Sequence, residues 1–588
     1  MRKPTPAIVA QSAVMRLPRP ALWLFCMAYV LPGFLGRVPW KRADITAFGY
    51  MAELARGGSD WWMPTMGGQA PDVDALLPYW LGAWAIQGAP QWLPADLAVR
   101  FPFMGLLLAT LVTVWYATYY LAHSPMAQPV PFAFGGEAHP ADYAHAVADG
   151  GLLALIACLG LAQISHETTP ALAQLGSTAL LFYAAAALPY RWLTAVISAT
   201  VGSLGLALSG APSLAVMLGL GCAVIYLPDR RDRFDRPVRQ AMHSYIRTGG
   251  FVALACLTAL CAGYLHLWRW RIDLPQAAWA EWQSLGRLFL WFTWPTWPFA
   301  IWTLWRWRLQ MLDSHQTGRH LWLPVWFVGV ASVATLVTES ADRSLLLALP
   351  ALATLAAFAL PTLGRSLGAL IDWFTLLFFS GCALIIWVVW LSMQTGFPAQ
   401  PAANVARLAP GFEHSLTAVP LVTAVIATLT WAGLVKWRIG RHRTALWKSV
   451  VLPAGGAALC WLLLMTLWLP LLDFARSYAP MVQHAQTIMQ SRPHCIETLG
   501  LQRSQYAALR FHGNLTLVPM QATAISTFTC PWLIVGNDFV GHDAVNTRPH
   551  PQIGPDWVWQ ASVQHPSDPS EALQLYSRAT PLMMKPAL

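Results

Sequence analysis

"ALWLFCMAYVLPGFLGRVPWKRADITAFGY" (residues 21–50) runs from an unbroken apolar stretch into two cations and a lone acid, Asp44. About 20 apolar residues are needed to cross the roughly 30 Å hydrocarbon core of a bilayer, and 21–37 comes close to that length. The rest of the chain repeats the pattern. Of 588 residues, 56% are hydrophobic and only 11% charged, with a mean hydropathy of +0.46. Soluble domains carry about 25% charged residues. The fold class is therefore a polytopic α-helical membrane protein.

Thirteen apolar runs are long enough to read as spans: 21–37, 101–122, 150–165, 171–188, 191–208, 212–227, 249–268, 286–305, 321–338, 344–361, 368–391, 416–436 and 449–471. An odd number puts the two ends on opposite sides. "DRRDRFDRPVRQ" (229–240), "RWRLQMLDSHQTGRH" (306–320) and "KWRIGRHRTALWK" (436–448) all fall on the N-terminal side, whereas "SHETTP" (165–170) and "GAP" (210–212) carry no Lys or Arg. Short basic loops mark the cytoplasmic face, so the N-terminus is expected inside. Arg2, Lys3, Arg16 and Arg19 precede the first run without a small-residue cleavage site, which reads as a retained helix. The net charge of +10 is absorbed by this loop asymmetry and does not argue for nucleic acid.

Residues 1–471 form the expected membrane domain. Within it, 38–100 is an outer loop whose stretch "DALLPYWLGAWAIQG" (74–88) is too short to span and reads as a helix lying on the outer leaflet. Residues 123–149 read as an inner loop. The tail, 472–588, mixes helical patterns (478–490, 504–513) with strand-like runs (515–520, 531–536, 557–563), which predicts a small α/β domain on the outer side. Cys495 and Cys530 are the two cysteines of that tail. If it faces an oxidising compartment they pair as a disulfide; otherwise they are two free thiols. Most of the 32 tryptophans suit membrane interfaces.

Ionisable residues at membrane depth are costly, and those that occur there tend to serve function. On the outer side they are Asp44, Asp72 and Asp74 in the first loop, His166 and Glu167 after the third span, and Glu339, Asp342 and Arg343 between the ninth and tenth. No Walker-type loop, Cys/His zinc cluster or HExxH motif occurs, so nucleotide-driven and zinc-hydrolytic chemistry have no support. A divalent ion held by Asp, Glu and His stays open.

The first loop resembles that of GT-C glycosyltransferases, closest to the bacterial aminoarabinose lipid A transferases and their relatives among the protein O-mannosyltransferases. "SDWWMP" (59–64), Gly68 and "YW" (79–80) follow the family's order Gly-Asp-Trp-x-x-Pro, Gly, Tyr-Trp without gaps. "ADRSLLLALPALATLAA" (341–357) is similar to its Arg followed by a Tyr-Leu-Leu-Pro-type run. The resemblance implies an inner-membrane enzyme of about thirteen helices with a C-terminal periplasmic domain. Its donor is a polyprenyl-phosphate sugar, and its acceptor an envelope lipid, glycan or protein at the periplasmic face.

By the same resemblance Asp44 is the base or acceptor-orienting acid, with Glu167 as a second catalytic candidate. Arg343 and Arg42 hold the lipid phosphate, and Asp72, Asp74 and His166 complete the substrate site. Three departures stand out. The second acid of the family's Asp-Glu pair is Ile45. Its Glu-Lys-Pro-Pro stretch aligns with Val73-Asp74-Ala75-Leu76, and its Lys-Gly-Pro turn with "SGAP" (209–212). Two lysines are thus missing, to be replaced by Lys41, Arg42 or Arg343 or reflecting a different donor or lost activity. A non-catalytic scaffold is one rival reading. A transporter of lipid-linked saccharides is another, but it requires polar residues at mid-bilayer and an inverted repeat, and the spans are nearly all apolar.

Overall fold

A computed structural model describes residues 5–227, 238–268, 279–311, 318–338, 340–439, 445–490, 493–519, 530–536 and 557–578. Every expected span coincides with a helix or a pair of helices. Among the described residues seven helices are long and apolar enough to cross a membrane: Ala95–Ala122, Pro170–Ala187, Met242–Tyr264, Arg319–Val337, Ser366–Thr395, Ala418–Arg438 and Lys448–Leu467. Others are shorter, among them Arg19–Phe34, Trp192–Leu208 and Pro212–Tyr226. The helices toward the C-terminal end of the bundle turn large apolar side chains outward, including Leu370, Leu377, Leu384, Val422, Ile426 and Leu429. Hydrocarbon tolerates such side chains, and the helix satisfies its own backbone groups.

The structure corrects several boundaries. The run at 286–305 is two helices, Trp279–Phe292 and Thr296–Met311, parted around Pro295. The run at 344–361 is a short Ala341–Leu346 helix followed by Leu349–Ala359. The helix of the third expected span, Pro140–Ala157, begins inside what reads as the inner loop. The basic loop at 229–240 lies almost wholly outside the described residues, as does Glu339.

The largest difference falls in the first loop. Besides the expected amphipathic piece, which is Leu77–Gly88, it holds a second helix, Ala43–Ala55. Nine of the 13 residues of that helix are buried, from Asp44 and Ile45 to Leu54. It packs against Leu77–Gly88 on one side and the Arg503–His512 helix of the tail on another. Two glycines permit the close approach. A Cβ on Gly49 would stand 2.7 Å from that of Ala507, and one on Gly82 would stand 2.3 Å from the Met51 sulfur.

The tail folds as a five-stranded mixed sheet, in the order β2-β1-β3-β5-β4. Its strands are β1 (Ile496–Leu499), β2 (Leu517–Pro519), β3 (Trp532–Gly536), β4 (Trp557–His565) and β5 (Asp568–Arg578). β1 runs parallel to both β2 and β3, and β5 runs antiparallel to β3 and β4. Parallel neighbours need a crossover, and the Arg503–His512 helix supplies it between β1 and β2. β1 and β5 were not legible as strands. Cys495 and Cys530 form a disulfide, with Cα atoms 5.4 Å apart, at the entrances to the adjacent β1 and β3.

This disulfide closes a loop of 35 residues, and losing a native bridge typically costs about 2–5 kcal/mol. Cys495→Ser with Cys530→Ser is therefore expected to unfold at a lower denaturant concentration than the parent. Unchanged unfolding, followed by a fluorescence change of the tail tryptophans, would show that the bridge adds no stability.

Candidate active site

Asp44 sits in the first turn of the Ala43–Ala55 helix and is 2% exposed. Its Oδ2 accepts from Arg37 Nη2 at 3.0 Å and from the Trp40 backbone N–H at 3.2 Å. Its Oδ1 accepts from the Thr168 N–H at 2.8 Å and hydroxyl at 2.7 Å. Both oxygens are occupied by donors from the chain itself, and the carboxylate is buried. Such a carboxylate is poorly placed to take a proton from an acceptor, which a base must reach at about 2.6–3.2 Å. What it does is fasten the first loop to the 165–170 turn.

Arg37 continues the lock. It donates to the His166 carbonyl at 2.6 Å and lies 4.6 Å from the Trp40 ring centroid. Arg476 covers the same ring at 5.2 Å, and Trp40 Nε1 donates to Asp473 at 2.7 Å. Burial pushes Asp473 up to about 6, against the pull of that indole donor. His166 is wholly buried beside Tyr29, Phe34 and Trp461. Burial pushes its pKa down to about 3, against the raising effect of the Ala162 and Tyr29 carbonyls that face its two nitrogens; the neutral ring donates to one of them. Gly33 allows this packing, because a Cβ there would lie 2.1 Å from the imidazole.

A cavity of about 420 Å³ opens beyond this lock. Its wall takes Arg42, Ala43, Thr46 and Ala47 from the first-loop helix, and Gln69, Asp72, Val73 and Tyr79 from the segment after it. Pro170, Arg343 and Gln502 to Ser504 complete it. Ala43, Pro170 and Arg503 are each the first residue of a helix. Helix N-termini carry partial positive charge, and the three guanidiniums add to it. The arrangement is suited to an anion with several oxygens, such as a phosphate.

Each arginine has a carboxylate partner. Arg343 pairs with Glu167 at 3.2 Å, Arg42 with Glu571 at 3.1 Å, and Arg503 with Asp72. Arg42 holds a backbone φ of +67°, uncommon for a non-glycine residue. β5 stabilises that conformation through Glu571 and Asp568, the latter also 3.0 Å from Lys41. Burial raises the Glu167 pKa, opposed by Arg343. Glu167 stands behind Arg343 rather than in the cavity wall.

Of the residues singled out from sequence, Arg42, Asp72 and Arg343 meet in the cavity wall; Asp44, His166 and Glu167 lie in the packed layer beside it. Asp74 is outside the wall and lies against the 209–212 turn, where a Cβ on Gly210 would stand 2.5 Å from Val73. The two places where the resembling family carries lysine thus adjoin each other here, and neither holds a cation. Arg503 escaped sequence reading because it lies in the tail, 431 residues from its partner Asp72. Among the described residues, no group of three or more His, Cys, Asp or Glu could hold a metal ion.

The bundle with its mixed-sheet tail is a fold already seen in solved proteins. Two solved structures share it across nearly their whole length. The crystal structure of ArnT from Cupriavidus metallidurans bound to undecaprenyl phosphate matches with a TM-score of 0.57 over 96% of this chain and 99% of that one. The apo ArnT structure from the same organism matches at 0.56, over 95% and 98%. Identity is 12% in both, so the likeness is one of fold. No protein-family model and no curated protein matches the sequence.

Removing one partner of a buried ion pair typically costs about 3–5 kcal/mol. Asp44→Ala is expected to lose stability on that scale in thermal unfolding of the detergent-solubilised protein; a neutral result would release Asp44 from the structural role. A second prediction concerns pH. Asp473 and Glu167 have folded pKa values above their unfolded ones, so the folded state binds protons that the unfolded chain has released. Their stabilising contribution is complete below the ordinary carboxylate range and is lost as pH rises through the raised values. Asp473→Asn should flatten the decline in stability between about pH 4 and 6, and an unaltered slope would count against the assignment.

Proposed function

We propose that the protein is a bacterial inner-membrane glycosyltransferase. It moves a sugar from a polyprenyl-phosphate donor to an envelope acceptor, whether lipid A, another glycan or a protein, at the periplasmic face. The reading places about thirteen helices in the membrane, the N-terminus in the cytoplasm and residues 472–588 in the periplasm as an α/β domain. The cavity carries it: three arginines and three helix starts surround a space of about 420 Å³, in a fold shared with a protein solved bound to undecaprenyl phosphate.

Transfer breaks the bond between the sugar C1 and the phosphate oxygen, and negative charge grows on that oxygen. Arg42, Arg343 and Arg503 are placed to receive it, taking the part of the two lysines this chain lacks. Preorganised cations aimed at developing charge are a large part of such catalysis. Asp44 is then a positioning residue, holding the 37–44 segment and the 165–170 turn so that Arg42 and Pro170 face the same space.

One observation favours a second reading, a carrier-binding member of the fold without transferase activity. Asp72 is the one carboxylate among the described wall residues, and it is already paired with Arg503. Mass spectrometry of envelope lipids and glycans from cells with and without the gene separates the two. The transferase reading expects a mass increment of one sugar that disappears with the gene and is not restored by Arg343→Ala. Lost charge-assisted hydrogen bonds of about 1.5–3 kcal/mol correspond to a rate lowered about 10- to 100-fold. An identical envelope in both strains would overturn the enzymatic reading.

A further inference from the structure

The three arginines of the cavity are not equivalent. Glu571 and Glu167, which pair with Arg42 and Arg343, are 4% and 7% exposed, and Asp568, 3.7 Å from Arg42, has its side chain 25% exposed; none of the three lies in the cavity wall. They balance charge from behind and leave the cavity-facing side of each guanidinium open. Asp72, the partner of Arg503, stands in the wall itself with its side chain 65% exposed. Arg503 also donates Nε–H to the Ala70 carbonyl at 2.8 Å. The 70–72 segment is thus attached to the tail helix, with its acid turned toward the space an anion would fill. A pair this exposed is weak, so an incoming phosphate can displace Asp72 from Arg503, but the carboxylate remains nearby.

We propose that Asp72 is a resident counter-anion that makes the cavity prefer a phosphodiester to a phosphomonoester, so that the spent carrier leaves more readily than the donor binds. The proposal rests on the glycosyltransferase reading above and adds to it a basis for discriminating donor from product. In the transfer, the C1–oxygen bond to phosphate breaks with its electron pair left on the phosphate oxygen. The acceptor oxygen bonds C1 and loses its proton to solvent or a base. The lipid phosphate passes from a diester with one negative charge to a monoester whose second ionisation, near pH 6, is more than half complete at neutral pH. The arginines and helix starts attract both forms, whereas Asp72 repels the second charge. A cavity with cations alone would hold its product more tightly than its donor.

The test uses the full-length protein in detergent, with farnesyl phosphate and its methyl phosphodiester as probes. Asp72→Asn keeps the shape of the side chain and removes its charge. The expected result is monoester affinity raised about threefold or more, the scale of an exposed charge interaction, with a smaller change for the diester. The effect on the monoester should shrink at about pH 5, where that probe also carries a single charge. Equal shifts for both probes, no shift, or weaker monoester binding would overturn the proposal, the last by making Asp72 a support for Arg503. Arg343→Ala tests the underlying reading separately. If it weakens both probes while Asp72→Asn leaves their ratio unchanged, only the counter-anion role fails. If the parent protein binds neither probe, or Arg343→Ala changes nothing, the phosphate-binding reading falls with it.

Discussion

The carboxylate of Asp44 and the guanidinium of Arg37 are both almost wholly removed from solvent, and further hydrogen bonds to the two charges offset the cost of burying them. That requirement shapes the surrounding chain. The Trp40 N–H must turn back toward Asp44, the Thr168 N–H and hydroxyl must approach from another turn, and the His166 carbonyl must accept from Arg37. The Trp40 ring meets two guanidiniums, those of Arg37 and Arg476, as part of the same arrangement. The first loop, the 165–170 turn and the 469–476 helix are thereby fixed relative to one another. The cavity lies on the far side of that junction.

Its wall is composed of parts that are remote in sequence. Arg42 precedes the first-loop helix, Pro170 opens a bundle helix, Arg343 lies on a short helix between two others, and Arg503 opens a helix of the tail sheet. No local segment concentrates the positive charge. It arises because three helices start at one place, and their N-termini and arginines face a common space. The lysines expected from the resembling family are absent from two adjoining positions, and the cations stand elsewhere around the cavity. Moving charge in this way keeps the net attraction for an anion while changing the direction from which it is held.

Asp72 and Arg343 could be singled out from the sequence because ionisable side chains are scarce in an apolar chain and theirs lie in loops between spans, and Arg42 because two lysines of the resembling family are missing. The same scarcity drew attention to Asp44, but a sequence cannot distinguish an acid facing a cavity from one surrounded by donors. Arg503 carried no such signal, since charged residues are ordinary in a mixed α/β tail. The Ala43–Ala55 helix was hidden because it is apolar on nearly all faces and too short to span, and so lacks the one-sided stripe that marks a surface helix. In the tail, "LTLVPM", "PWLIVG" and "WVWQASV" could be read as strands from their β-branched and aromatic content. "IETL" and "DPSEALQLYSR" could not, because their strand character comes from pairing with β3 and not from local propensity.

The sequence by itself determined the membrane class, the approximate placing of the apolar helices and the α/β character of the tail, because these follow from the length and composition of local segments. Its motif order also pointed to the fold. Only the tertiary structure decided that "KRAD" (41–44) divides its roles. Asp44 turns inward into a buried lock with Arg37, while Arg42 turns outward into the cavity beside Arg343 and Arg503. Residues two apart face opposite ways here because a left-handed backbone at Arg42 immediately precedes a helix whose first turn is buried. Which way each charge points is settled by the partners around it, and those partners lie from 4 to 529 residues away.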